Sequence, residues 1–185
     1  MTNETIWVLL NRRSIRKYTK EPVREEDLQA ILQAAIYAPS AMNGQEWHFS
    51  VVRSEKILKK LQITMKENML RSGVERLVQR ASDPGFVGFF GAPVLIFLSA
   101  PAEAHSAQID CGIAVENIAI AAESLGLGSC IMTSSELLFA DDKDGSLARE
   151  LGFPEGYKHV CSIALGYKDE NPPAKERREG LINYV

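Results

Sequence analysis

Two segments of this chain hold the side chains that grip anions and read polar edges. Arg12-Arg13-Ser14-Ile15-Arg16-Lys17 places four cations and a hydroxyl within six residues. Guanidinium forks make paired hydrogen bonds to phosphate oxygens, and a serine hydroxyl with backbone amides can supply the remaining donors. Taken alone, the segment reads equally well as a solvated basic turn. The second segment runs Ala38-Pro39-Ser40-Ala41-Met42-Asn43-Gly44-Gln45-Glu46-Trp47-His48-Phe49. Ser40, Asn43 and Gln45 mix donors with acceptors, as the edge of a pyrimidine-like ring or a sugar-alcohol chain requires. Gly44 permits close backbone approach. Alone, this too is an ordinary helix-to-strand turn with Trp47 and Phe49 in the core. A weaker third group, Gly166-Tyr167 and Pro172-Pro173-Ala174-Lys175-Glu176-Arg177-Arg178, adds cations after the last core strand, where a solvated tail is the plain alternative.

Composition limits what these groups serve. With 24 acidic and 21 basic residues the net charge is -3, which gives no general attraction to nucleic acid or anionic membrane. An anion site must therefore be built locally. A length of 185 residues at 45% hydrophobic suits one domain spanning 1–185 with one core. No segment reaches the roughly 18 apolar residues of a membrane span, and the opening residues lack a leader pattern, so a soluble cytoplasmic protein is expected. Cys111, Cys130 and Cys161 are odd in number, far apart and set among apolar neighbours. They read as buried reduced thiols, neither a disulfide framework nor a metal site. His48, His105 and His159 lie near no nucleophile motif, so no catalytic side chain and no metal ligand is assigned.

The elements that must position the clusters follow from periodicity. Ile6, Leu9 and Leu10 predict a first helix ending near Asn11; Leu28, Ile31, Leu32, Ala35 and Ile36 predict a second, after Pro22 and closed by Pro39. A strand over 48–52 and a third helix toward Arg71 come next. Residues 72–91 read as irregular or partly helical, with Phe86, Phe89 and Phe90 in a candidate lid. Residues 93–98 are an apolar run of strand length, buried on both faces. The helix predicted over 106–125 is apolar nearly all round, interrupted by Asp110, Glu116, Asn117 and Glu123, so it needs cover on every side. A partner subunit can supply that cover, as can the centre of a compact monomer. Gly126 and Gly128 stop this helix but lack the third glycine and preceding strand of a dinucleotide fingerprint. A strand over 129–132, a short helix near 147–151 and a strand over 158–165 complete the core. Residues 168–185 form a charged arm ending in Leu181-Ile182-Asn183-Tyr184-Val185, a strand-like terminus suited to a neighbouring subunit's sheet edge.

Together, Arg-Arg-Ser-x-Arg at 12–16, Ala-Pro-Ser-x-x-Asn-x-Gln-x-Trp-x-Phe at 38–49, Gly126-Leu127-Gly128, Ala164-Leu165-Gly166-Tyr167 and Lys175-x-Arg177 resemble the nitroreductase family of FMN-dependent oxidoreductases. The resemblance spans nearly the whole chain. It implies an α+β fold with a central, mainly antiparallel sheet flanked by helices, and a homodimer that exchanges its C-terminal strand. By position it implies that Arg12, Arg13, Ser14 and Arg16 surround FMN, with Lys175 and Arg177 near its phosphate. Pro39, Ser40, Ala41 and Asn43 would reach the flavin of the other subunit. Ile131, Met132 and Thr133 would lie along its ring edge, and Asn68 would face the pyrimidine edge. The implied activity is ping-pong transfer of electrons from NADH or NADPH to a small electrophilic acceptor such as a nitroaromatic or quinone. A flavin-storing protein with little turnover and a reductive dehalogenase-like member of the same fold remain the alternatives.

Overall fold

A computed structural model describes residues 3–185. Helix α1 (Glu4–Asn11) is capped by the Asn3 side chain, which accepts the Ile6 amide hydrogen at 2.9 Å. Helix α2 (Glu25–Ile36) opens with Glu25, Glu26 and Asp27 at its positive end. Next come β1 (His48–Val52), α3 (Glu55–Arg71) and α4 (Glu75–Ser82). Residues expected to be irregular or partly helical contain a two-turn helix, whose Leu77, Val78 and Ala81 turn inward at helical spacing. The chain continues through β2 (Val94–Pro101), α5 (Ala107–Ser124), β3 (Leu127–Met132), α6 (Ser146–Glu150) and β4 (Tyr157–Tyr167).

The four strands form one antiparallel sheet in the order β1-β2-β4-β3. This is the α+β architecture the sequence implies. Alternation along β2 sends Ile96 and Leu98 to a core shared with Ile31 and Ala35 of α2 and Ala114 and Ile118 of α5. Leu95 and Phe97 point the other way, into a core with Leu61, Met65 and Met69 of α3 and with Leu138 and Phe153. Both faces of the sheet are covered, which is why β2 reads as one unbroken apolar run. The three cysteines are buried and free, and burial raises the pKa of each thiol, Cys111 to about 11 and Cys161 to about 12.

Cover for α5 is incomplete. One side packs on the sheet and α2, while Ile109 is 69% exposed and Ile113 and Ile120 are half-buried. Residues 181–185 make no strand within the chain, and Leu181, Ile182 and Tyr184 are exposed.

His159, on β4, is stacked on Phe139 with ring centroids 5.0 Å apart, and its Nε2 lies 2.9 Å from Ser135 Oγ. Burial lowers its pKa to about 4. The folded chain holds this ring neutral, whereas the unfolded chain protonates it below about pH 6.5. Its contribution is therefore complete above pH 6.5 and is lost as pH falls toward 4, by up to about 3 kcal/mol. Unfolding free energies of the wild type and His159→Gln should diverge between pH 6.5 and 4, with the steeper loss in the wild type. Parallel profiles would refute the assignment.

Candidate functional site

The first and third polar segments meet. Arg12, Arg13, Ser14 and Arg16 line a cleft of about 230 Å³ with Pro172, Pro173, Lys175 and Arg177. Five cations and no carboxylate face it. What places the basic segment is backbone pairing against the sheet. Ser14 bridges Ser129 in parallel, the Ile15 amide donates to Ser129 O at 2.8 Å, and the Ile15 side chain is buried against Gly128. A Cβ on Gly128 would lie 2.9 Å from Ile15, so glycine is what lets this segment lie flat on β3. Tyr18 Oη then donates to Ile15 O at 2.6 Å, and the Thr19 amide to Tyr167 O at 3.0 Å. Gly166 serves the same purpose below Tyr18, where a Cβ would meet Pro93 at 2.7 Å and Tyr18 at 2.9 Å.

Within the cleft the cations differ. Arg12 caps α1 through its amide and runs inward, where its Nε is buried without a hydrogen-bond partner and Glu116 lies 3.7 Å away. A buried guanidinium nitrogen is costly to leave without an acceptor, and the charge of Glu116 offsets part of that cost. Arg13 is more committed, its Nη1 donating to the carbonyls of Leu10 and Arg12 at 2.9 and 2.8 Å. Arg16 is exposed, with its guanidinium 5.8 Å from the Phe90 ring centroid. Its amide donates to the Glu170 carboxylate on the arm. Lys175 and Arg177 are exposed, and Arg177 Nη1 donates to Lys175 O at 3.0 Å.

The second polar segment sits elsewhere in the chain. Pro39, Ser40 and Ala41 line a separate depression with Ser106, Ile109, Asp110 and Ile113. No residue lines both clefts. Here Met42, Asn43 and Gln45 all have left-handed backbone, with φ of 51, 55 and 50°. Ser40 Oγ accepts the Gln45 amide hydrogen at 3.0 Å, Gln45 Nε2 donates to Asn43 Oδ1 at 3.1 Å, and both carboxylate oxygens of Asp110 accept the Ala41 amide hydrogen at 3.2 Å. Met42 is fully exposed at the tip.

Ile131 and Met132 end β3, half-buried and buried, and Thr133 follows exposed. Met132 lines a cavity of about 40 Å³ with Met65, Met69, Phe86 and Phe90. Asn68 is not brought to the cationic cleft. It is buried, donates its amide to Leu137 O at 2.8 Å and Leu138 O at 3.4 Å, and accepts from Arg71 at 2.6 Å. Its hydrogen bonding is taken up in fastening the 134–139 turn to α3. Sequence reading missed Arg80 and Glu170, which reach the surroundings of Arg16 from α4 and the arm; neither had a local signal beyond its charge.

Asp110→Ala should leave the Ala41 amide without its acceptor, lower stability by about 1–2 kcal/mol and speed hydrogen exchange at Ala41. Asp110→Asn, which keeps an oxygen there, should restore most of the protection.

The Nitroreductase family model matches residues 9–167. A nitroreductase from Bacteroides fragilis, solved with bound FMN, is 34% identical and superposes at a TM-score of 0.90, with all of both chains covered. One from Desulfitobacterium hafniense, also with bound FMN, is 35% identical at a TM-score of 0.90 over the same full coverage. The NADPH-flavin oxidoreductase of Vibrio harveyi is 31% identical over 185 residues, covering 95% of this chain and 70% of its own length. A fold shared along its full length and a family match reaching from α1 to the end of β4 agree: this chain belongs to the nitroreductase family.

Proposed function

We propose that the chain is an FMN-dependent oxidoreductase that takes electrons from NADH or NADPH and passes them to a small electrophilic acceptor. The observation that carries the reading is the cleft in which Arg12, Arg13, Ser14, Arg16, Lys175 and Arg177 gather, five cations with no carboxylate among its lining residues. A phosphate ester fits that donor set, since each oxygen can accept from a different cation. When bound, FMN supplies two-electron chemistry between donor and acceptor.

The chain's own residues then have separable tasks. Arg12, Lys175 and Arg177 hold the phosphate, and Ser14 adds a hydroxyl. Arg16, free of any carboxylate ion pair among the described residues, would place a positive charge beside the flavin and so favour its reduction. Ile131, Met132 and Thr133 border the ring edge. Pro39, Ser40, Ala41 and Asn43 act across a homodimer interface, since Pro39, Ser40 and Ala41 line a depression separate from their own chain's cationic cleft. The half-covered α5 and the open edge of β1 support that dimer, with residues 181–185 adding a strand to the partner. Donor and acceptor use one cleft in turn, which gives ping-pong kinetics.

Purified protein should be yellow and release FMN on denaturation; a colourless chain that takes up no FMN would overturn the reading. Arg12→Ala should weaken FMN binding at least tenfold, about 1.4 kcal/mol. Arg16→Ala should lower the flavin midpoint potential by about 30 mV for each 1.4 kcal/mol of reduced-state stabilisation lost, read by redox titration. Removing residues 170–185 should yield monomers in sedimentation.

A further inference from the structure

Beyond Arg16 the cationic cleft is succeeded by a groove of about 920 Å³. It runs between the 16–20 segment, the first turns of α3 and the 80–93 segment. Its walls carry Arg16, Lys17, Lys20, Lys59 and Arg80 against only Glu55 and Asp83, in a chain whose net charge is -3. Glu55 is already paired with Lys59 at 2.6 Å, and Asp83 accepts the Gly85 amide hydrogen at 2.7 Å. Lys17, Lys20 and Arg80 have no carboxylate ion pair among the described residues. Arg80 is held over two rings, its guanidinium 5.8 Å from the centroid of Phe86 and 5.9 Å from that of Phe90; Phe90 is also the ring beneath Arg16.

We infer that this groove binds the diphosphate and adenosine portion of the nicotinamide dinucleotide donor, with Lys17 and Lys20 as phosphate ligands and the Arg80-Phe86 stack as an aromatic rest. Three features select this occupant. The volume lies at the upper end of the roughly 300–1,000 Å³ of ligand clefts, far beyond what a single-ring acceptor fills. The surplus charge is positive and unpaired, as a bridging diphosphate requires. The groove meets the cationic cleft at Arg16, so one ligand in it can lie beside the flavin site. The proposal rests on the flavin reading above and extends it to the donor's remote half, where binding energy can position the nicotinamide without touching the reacting atoms.

The test uses FMN-loaded protein and the double variant Lys17→Ala/Lys20→Ala. Calorimetry with 1,4,5,6-tetrahydro-NADH, which carries both phosphates but cannot give up hydride, should show binding weakened about tenfold or more, as for one lost charged contact. Stopped-flow reduction by NADH should show the same shift in the half-saturating concentration. Reduction by 1-benzyl-1,4-dihydronicotinamide, which has no phosphate, should be unchanged. Unaltered tetrahydro-NADH binding, or equal slowing with both donors, overturns the proposal while a yellow protein leaves the flavin reading standing. A colourless wild type removes both.

Discussion

Asp110 accepts the Ala41 amide hydrogen, Glu116 lies beside Arg12, and Glu123 pairs with Lys168 at 2.7 Å. Asn117 of the same helix donates to Ala34 O at 3.0 Å. Each polar side chain that interrupts the apolar surface of α5 therefore fastens a different stretch of chain: the 38–45 loop, the basic segment, the start of the arm, and α2. The sheet gives α5 its position through buried Ala114, Ile118 and Ala122. The site depends on that seat, because its parts are 100 or more residues apart in places and share few contacts with one another. A shift of α5 would move all of them together.

Gathering five cations in one cleft is unfavourable where no anion compensates, since like charges repel strongly once partly shielded from water. The chain offsets this in two ways. Glu116 stands close to Arg12 without satisfying its Nε, and Glu170 takes the amide of Arg16 and leaves its guanidinium on Phe90. Both carboxylates lower the local potential and neither fills the cleft. The donors remain available to a phosphate, and the arm that brings Lys175 and Arg177 is tied at its base by Lys168 and Glu123.

Most elements were legible because their periods are strong. β1 has the limits its composition predicts, and the apolar run at 93–98 is the heart of β2, which extends through Ser99 and Ala100 because pairing with β4 continues past the apolar residues. β3 begins at Leu127, earlier than expected, since Gly128 is a strand residue under Ile15 as well as part of the helix stop. Helix α4 was obscured by its charges: Glu75, Arg76 and Arg80 surround three inward residues, too few to set a period. At the site, residue type alone made Arg12 to Arg16 a candidate anion holder no better founded than a solvated basic turn. The meeting of that segment with Lys175 and Arg177 has no local sequence signal; it came from resemblance, and it depends on how β3 and β4 deliver the two ends of the chain to one place. The packing of Asn68 under the 134–139 turn shows the opposite limit, a buried side chain whose amide nitrogen donates to backbone carbonyls that no side-chain pattern reveals.

The run of left-handed residues at Met42, Asn43 and Gln45 carries a further implication. Non-glycine residues in that region cost of order 1–3 kcal/mol each, yet the loop contains Gly44 between them in a conformation any residue adopts. Strain of this kind persists only where surrounding bonds over-determine the shape, here those to Asp110 and Ser40. A loop held in this way has little conformational entropy left to lose. A surface frozen in advance binds with less ordering penalty and discriminates more sharply among shapes. Glycines at those three positions would relieve the backbone and return the freedom, trading a more comfortable chain for a less selective surface.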